Sequence, residues 1–179
     1  MYPATIMKIA RFAASMLGVV CFLYGPTAHA FDLSPVSELP ANELSAANIP
    51  YQGAHIRQTG NGNEASIEQQ GAAQLARLVQ TGADNHARHF QSGHDNIAVS
   101  RQSGDWNEVL ITQMGYGNIA MTDQSGDDND ISVNQYGEGA FADVQQAGNA
   151  NLAIVNQYSD GASALVTQTG DGIYSLLSQ

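Results

Sequence analysis

The sequence predicts an all-β fold, a two-sheet β-solenoid, and three observations support this prediction. Glutamine recurs every eleven residues from Gln58 to Gln179, and glycine stands two residues after nearly every one of these glutamines. Small or apolar residues then alternate with more varied ones up to the next glutamine. Alternation is typical of a half-buried strand, and glycine is typical of a tight turn. Each unit is therefore predicted to be one short strand and one turn.

Two columns of identical residues define the period. The glutamines are Gln58, Gln69, Gln80, Gln91, Gln102, Gln113, Gln124, Gln135, Gln146, Gln157, Gln168 and Gln179. The turn glycines are Gly60, Gly71, Gly82, Gly93, Gly104, Gly115, Gly126, Gly137, Gly148 and Gly170. Ser159 interrupts the glycine column. A spacing kept without a slip over the whole region predicts that the units stack in register.

The inner face of the stack follows from parity along the strand. In the first complete unit, Ala65, Ile67 and Gln69 are two residues apart, so they point to one face. We predict that this small–apolar–glutamine face is the inner one. The apolar position of this set becomes polar in three middle units, at His89, Ser100 and Thr122. The middle rungs are therefore expected to pack less well than the later ones, where valine holds that position.

A second period, of 22 residues, is visible in an asparagine column. Its members are Asn63, Asn85, Asn107, Asn129 and Asn151. The period predicts that two strands make one rung of about 22 residues and that the two turns of a rung differ. Twelve strands then give about six rungs, a stack roughly 29 Å tall. Stacked glutamine and asparagine amides are expected to hydrogen-bond along the axis, which satisfies polar groups that are costly to bury alone.

The N-terminus has the pattern of a secretory signal. Lys8 and Arg11 precede an apolar stretch at 12–24, and residues 28–30 read Ala-His-Ala. This pattern predicts cleavage between Ala30 and Phe31, so that 1–30 is a signal peptide, 31–51 a flexible N-terminal segment and 52–179 the repeat domain. Removing 1–30 leaves four arginines against 17 acidic residues, a net charge of −13, and no cysteine.

Composition excludes several classes of function. A strongly acidic chain argues against a nucleic-acid partner. The single Cys21 excludes a disulfide framework and a cysteine zinc site. The sequence contains no nucleophile motif, phosphate loop or regular carboxylate pair, so we expect no enzymatic activity, no cofactor and no metal site. The turn aspartates do not hold one column of the eleven-residue period, and we interpret them as solvated charge.

The stretch Gln58-Thr59-Gly60-Asn61-Gly62-Asn63-Glu64-Ala65-Ser66-Ile67-Glu68-Gln69 resembles the curlin repeat, and the resemblance extends over 52–179. It implies a secreted structural subunit of curli, the amyloid fimbriae that serve adhesion and biofilm formation on the outer surface of bacteria. It further implies self-association into fibres, with the outer-membrane curli secretion apparatus, its accessory factors and the cell surface as partners.

Within this family, the segment 31–51 looks like the start of the minor subunit, which nucleates the major subunit at the cell surface. It reads Phe31-Asp32-Leu33 and later Asn42-Glu43-Leu44-Ser45, without the glycine-rich stretch typical of the major subunit. The last repeat of a minor subunit is typically basic, whereas here Arg101 is the last basic residue. The alternatives are a major fibre-forming subunit and a non-amyloid adhesive β-solenoid.

Overall fold

The computed structural model describes residues 18–24 and 52–179, and all of its regular elements there are β-strands. The strands are β1 Gly18–Tyr24, β2 Gly53–Thr59, β3 Glu64–Ala72, β4 Leu75–Thr81, β5 His86–His94, β6 Ile97–Ser103, β7 Glu108–Tyr116, β8 Ile119–Ser125, β9 Asp130–Glu138, β10 Phe141–Ala147, β11 Leu152–Gln157, β12 Ser163–Thr169 and β13 Tyr174–Ser178. These described residues contain no helix of the length and apolarity that a membrane span requires.

The strands form two parallel sheets. The odd sheet has the order β1-β3-β5-β7-β9-β11-β13, and the even sheet has the order β12-β10-β8-β6-β4-β2. From β2 onward, every strand pairs with the strand one rung away, so that Gln80 lies opposite Gln102 and Gln91 opposite Gln113. The chain thus alternates between the sheets as it climbs, which confirms the predicted two-sheet solenoid of about six turns and about 22 residues per rung.

The two turns of each rung differ, as the asparagine column predicts. Four residues separate β2 from β3, from Gly60 to Asn63, whereas only Ala73 and Gln74 separate β3 from β4. The difference persists along most of the stack, because most odd strands have nine residues and the even strands have seven. A rung is therefore asymmetric, with a longer turn on one side.

The core lies between the two sheets. Strand β6 shows the alternation, since Ala98, Ser100 and Gln102 are buried while the residues between them are half-buried or exposed. Alanine at the first inner position lets the sheets approach closely, and larger side chains such as Leu78 and Ile111 fill the centre without any exposed surface. This pattern confirms the inner face predicted from parity.

Strand β1 pairs in parallel with β3, with Leu23 opposite Gln69. It lies within the predicted signal peptide and occupies the edge of the odd sheet. The predicted cleavage site between Ala30 and Phe31 and the predicted flexible segment 31–51 fall outside the described residues. In the even sheet the edge strands β2 and β12 each pair with one neighbour.

Candidate functional site

The glutamine column forms two hydrogen-bonded ladders inside the solenoid. Gln80 Nε2 donates to Gln102 Oε1 at 2.8 Å, and Gln102 Nε2 donates to Gln124 Oε1 at 3.0 Å. The same amides also reach the opposite sheet, because Gln80 Nε2 donates to the carbonyl of Glu64 at 3.0 Å. The ladder glutamines therefore join successive rungs and also the two sheets. Most of these side chains are fully buried, so the bonds satisfy amides that water cannot reach.

The asparagine column forms a third ladder with the opposite direction. Asn107 Nδ2 donates to Asn85 Oδ1 at 3.0 Å, toward the N-terminal end, whereas the glutamines donate toward the C-terminal end. The Asn107 amide also donates to the carbonyl of Gly126 at 2.7 Å and so holds the turn of the next rung. Because the amide dipoles of the two kinds of ladder oppose each other, their sum along the axis is reduced.

A second set of buried amides was missing from the sequence-based site. Gln74, Asn96 and Asn118 lie in the shorter turn and have no exposed surface. Asn96 Nδ2 donates to the carbonyls of Ser92 at 3.2 Å and Gly115 at 3.1 Å, the same arrangement that the regular asparagines make in the longer turn. In the sequence these residues can be recognised by their position, five residues after a glutamine, but not by a common residue type.

The turn glycines are required by close stacking. Gly104 has φ +116°, and a Cβ added there would overlap the carbonyl oxygen of Gly126 in the next rung. Two residues further on, each turn has a second left-handed residue, occupied by Trp106 (φ 60°), Asp128 (φ 61°) or Ala150 (φ 56°) as well as by glycine. Trp106, Asp128 and Ala150 are exposed at this second position, so residues other than glycine fit there at the cost of backbone strain.

Several turn aspartates form a column that the eleven-residue period conceals. Asp105 Oδ1 accepts from the backbone N–H of Ala83 at 2.7 Å, and Asp127 Oδ1 accepts from that of Asp105 at 2.8 Å. Asp171 Oδ1 accepts from the backbone N–H of Asn149 at 2.7 Å. The interpretation of these residues as purely solvated charge was therefore incomplete, because together with Asn149 they form a column of period 22 in the longer turn and bind backbone donors of the preceding rung.

The polar residues of the middle rungs contact one another inside the core. The His89 Nε2 atom lies 2.6 Å from Ser100 Oγ in the opposite sheet, and Thr122 Oγ1 donates to Ser100 Oγ at 2.8 Å. His89 has no exposed surface, and burial lowers the pKa of its imidazole to about 3. Its Nδ1 atom has no hydrogen-bond partner. The cluster is closed to solvent, so its chemistry is structural.

Metal ligation has no candidate among the described residues, since they contain no group of three His, Cys, Asp or Glu side chains placed to hold an ion. The arrangement is instead a repeated polar lattice whose features are the ladders, the glycine turns and the sheet edges. Such a lattice can accept further rungs of the same geometry, because the glutamines of one rung present the next with the same donors and acceptors.

Comparison with known protein families agrees with this geometry. The chain matches the curlin associated repeat over residues 60–88, 104–137 and 140–170. No curated protein and no solved structure gave a match. The three matched segments together cover just over half of the sequence, and each contains the glutamines and turn glycines that form the stack. The chain belongs to the family of proteins built from curlin associated repeats.

Proposed function

We propose that this chain is the minor curli subunit, which is exported to the outer cell surface and nucleates polymerisation of the major curlin subunit into amyloid fibres. Family membership supports a curli-type subunit that self-associates into extracellular fibres. The choice of the minor subunit rests on the resemblance of segment 31–51 to the start of that subunit. Export depends on the predicted signal peptide and on the curli secretion apparatus, and the role involves no catalysis.

The first rung carries this proposal. Gln58 Nε2 donates to Gln80 Oε1 at 2.6 Å, in the same direction as the ladder bonds that follow up to Gln146–Gln168. The Oε1 atom of Gln58, however, is buried without a hydrogen-bond partner, and so is that of Gln69. A buried acceptor without a donor is costly. Another curlin rung stacked on this end would supply the missing amide donors and would extend the ladder.

The strand edges of the two sheets also favour the addition of another rung, here through the backbone rather than through side-chain amides. Strands β2 and β12 are edge strands, and an edge strand is a template for pairing with another chain. At the odd edge, β1 covers β3. Cleavage after Ala30 would remove β1 and expose that edge, so export would activate the template. Preformed edges of the correct register would remove the slow step in which a major subunit first folds into a rung.

Seeding tests the proposal directly. A substoichiometric amount of the chain, processed by its host, is added to fresh major subunit, and thioflavin fluorescence is followed. We expect a shortened lag. An unchanged lag with abundant fibres of this chain alone would favour the major-subunit alternative. The absence of fibres under all conditions would favour the adhesive β-solenoid.

Matched variants identify the templating end. Val166→Lys places a charge on the inner side of the last even strand, whereas Leu165→Lys places the same charge on its outer side, where Leu165 is 72% exposed. Ile56→Lys and His55→Lys form the corresponding pair in β2. We expect only the inner member of one pair to abolish seeding, because a charge facing the core prevents another rung from stacking. Equal seeding by all four variants would contradict templating by the even sheet.

A further inference from the structure

The even sheet has an outer face with an unusual charge distribution. This face, called the even outer face below, consists of three columns that run along the stack. They are Gly53-Leu75-Ile97-Ile119-Phe141-Ser163, His55-Arg77-Val99-Met121-Asp143-Leu165 and Arg57-Val79-Arg101-Asp123-Gln145-Thr167. On this face β2, β4 and β6 carry only basic side chains, β8 and β10 carry only acidic ones, and β12 carries no charge.

Among the described residues, the arginines of this face have no ionic partner. In the part that the structure describes, the only ion-pair contact is His86 Nδ1 to Glu108 Oε1 at 4.0 Å, in the odd sheet. Arg57, Arg77 and Arg101 are all exposed. The acidic residues between 52 and 179 thus leave three neighbouring arginines unpaired.

The negative half of the face is likewise unpaired. Asp143 is half-buried and lies beside Met121 and Leu165, and its carboxylate contacts only the Gln145 amide, at 3.4 Å. Asp123 lines an open groove together with Gln145 and Thr167. Two of its apolar side chains are also exposed, Met121 to 36% and Leu165 to 72%. It therefore offers both acidic and apolar surface to a partner.

We infer that the even outer face binds a second copy of this chain, face to face and with the direction of the stack reversed. The twofold axis of this arrangement runs parallel to the strands, between β6 and β8. It places β4 of one copy against β10 of the other, and β6 against β8, while each column faces itself. Arg77 then faces Asp143 of the second copy, and Arg101 faces Asp123.

The apolar residues match under the same operation. Leu75 faces Phe141, Ile97 faces Ile119, and the symmetry repeats each contact. The other face-to-face arrangement, with both stacks in one direction, would place Arg77 against Arg77 and Asp143 against Asp143, so the charges select the reversed one. The odd sheet has no such pattern, because under the same operation its Arg88 would face Ile154.

The size of the face agrees with weak pairing of single subunits and firm pairing of fibres. Six strands of seven residues cover about 29 Å by about 23 Å, or about 1,300 Å² for both copies together. That area is at the lower end of stable interfaces. In a fibre of stacked copies the same face repeats along the axis, so two antiparallel filaments would be joined by many copies of it.

Charge exchange tests the inference. The full chain is compared with Arg77→Asp, with Asp143→Arg and with the double variant Arg77→Asp/Asp143→Arg, and the mass per unit length of the fibres is measured by scanning transmission electron microscopy. We expect paired filaments for the wild type. Each single variant should contain at least about tenfold fewer paired stretches, since like charges then face each other. The double variant should recover the pairing, because the ion pair is restored with reversed sign.

Two controls make the result specific. Arg88→Asp makes the same charge change on the odd sheet and should leave the pairing intact. Sedimentation velocity of the same variants in solution measures pairing without fibres, so that a failure of the proposed amyloid function does not prevent the test. The inference would be overturned by unpaired wild-type chain in both measurements, by single variants that pair like the wild type, or by a double variant that does not recover.

Discussion

The middle and the later rungs of the solenoid have the same backbone but different cores. In the middle rungs the central inner position is held by His89, Ser100 and Thr122, and in the later rungs by Val133, Val144 and Val155. Strand register and burial are the same in both regions. The comparison indicates that the amide ladders and turns determine the register, while the central column adjusts stability within it.

Loss of a ladder amide should therefore cause the largest decrease in the free energy of unfolding. The decrease should be the same in the middle and the later rungs. Gln91 and Gln135 each donate to the glutamine one rung further along the same sheet, at 2.8 Å and 2.9 Å. Each also donates to a carbonyl of the opposite sheet. Replacing either by leucine leaves several buried partners unsatisfied, and we expect a loss of about 3 kcal/mol in the free energy of unfolding. Denaturant titration of both variants measures it. A cost confined to one region would contradict the view that the ladders hold the whole stack.

Exchanging the residues of the central inner position between the two regions should change the free energy of unfolding in opposite directions. Val155→His buries an imidazole between Val133 and Leu177, whose side chains offer no hydrogen-bond partner, and we expect a loss of about 3 kcal/mol. His89→Val removes a buried ring nitrogen that has no partner, Nδ1, and leaves the Thr122–Ser100 bond in place, so we expect a gain of about 1 kcal/mol. Denaturation midpoints of the two variants provide the test. A large loss for His89→Val would show that the bond between His89 and Ser100 stabilises the middle rungs.

Acid should weaken the middle rungs through His89. Burial lowers the pKa of this imidazole from 6.5 to about 3, so between these values the unfolded chain binds a proton that the folded chain does not. Stability is then complete above pH 6.5 and falls by about 1.4 kcal/mol per pH unit as pH decreases toward 3. Ile67 and Ile111 flank the ring within the sheet, Ser100 faces it, and no charged group lies among them.

The measurement is the difference in unfolding free energy between wild type and His89→Val as a function of pH. Other groups cancel in this difference, including Asp130, whose pKa is raised by burial and by the nearby Glu108 and whose effect has the opposite sign. We expect the difference to grow below pH 6.5. A constant difference would show that water reaches the ring in the folded chain.

Much of this architecture could be predicted from the sequence, because a repeat turns each local signal into a column. The eleven-residue glutamines and the alternation before them were sufficient for the strands and the inner face, and the 22-residue asparagine column was sufficient for the rung size. Contacts between the sheets were not predictable, since the bond from His89 to Ser100 depends on how the two strands of a rung face each other. The reversed asparagine ladder and the pairing of β1 with β3 likewise depend on geometry that the spacing does not contain.

Relief of backbone strain in the turns should cause the smallest change in the free energy of unfolding. This change should again be similar in the middle and the later rungs. Trp106, in a middle rung, and Ala150, in a later one, both have left-handed backbone, with φ of 60° and 56°. Glycine adopts this conformation without a steric penalty, so we expect Trp106→Gly and Ala150→Gly each to raise the free energy of unfolding by about 1 kcal/mol. Trp106 is 65% exposed and has little packing to lose. Denaturation followed by circular dichroism, which does not depend on the tryptophan, compares the variants. A loss of stability for Trp106→Gly alone would show that this side chain contacts its neighbours along the stack and that the turns, like the cores, differ between regions.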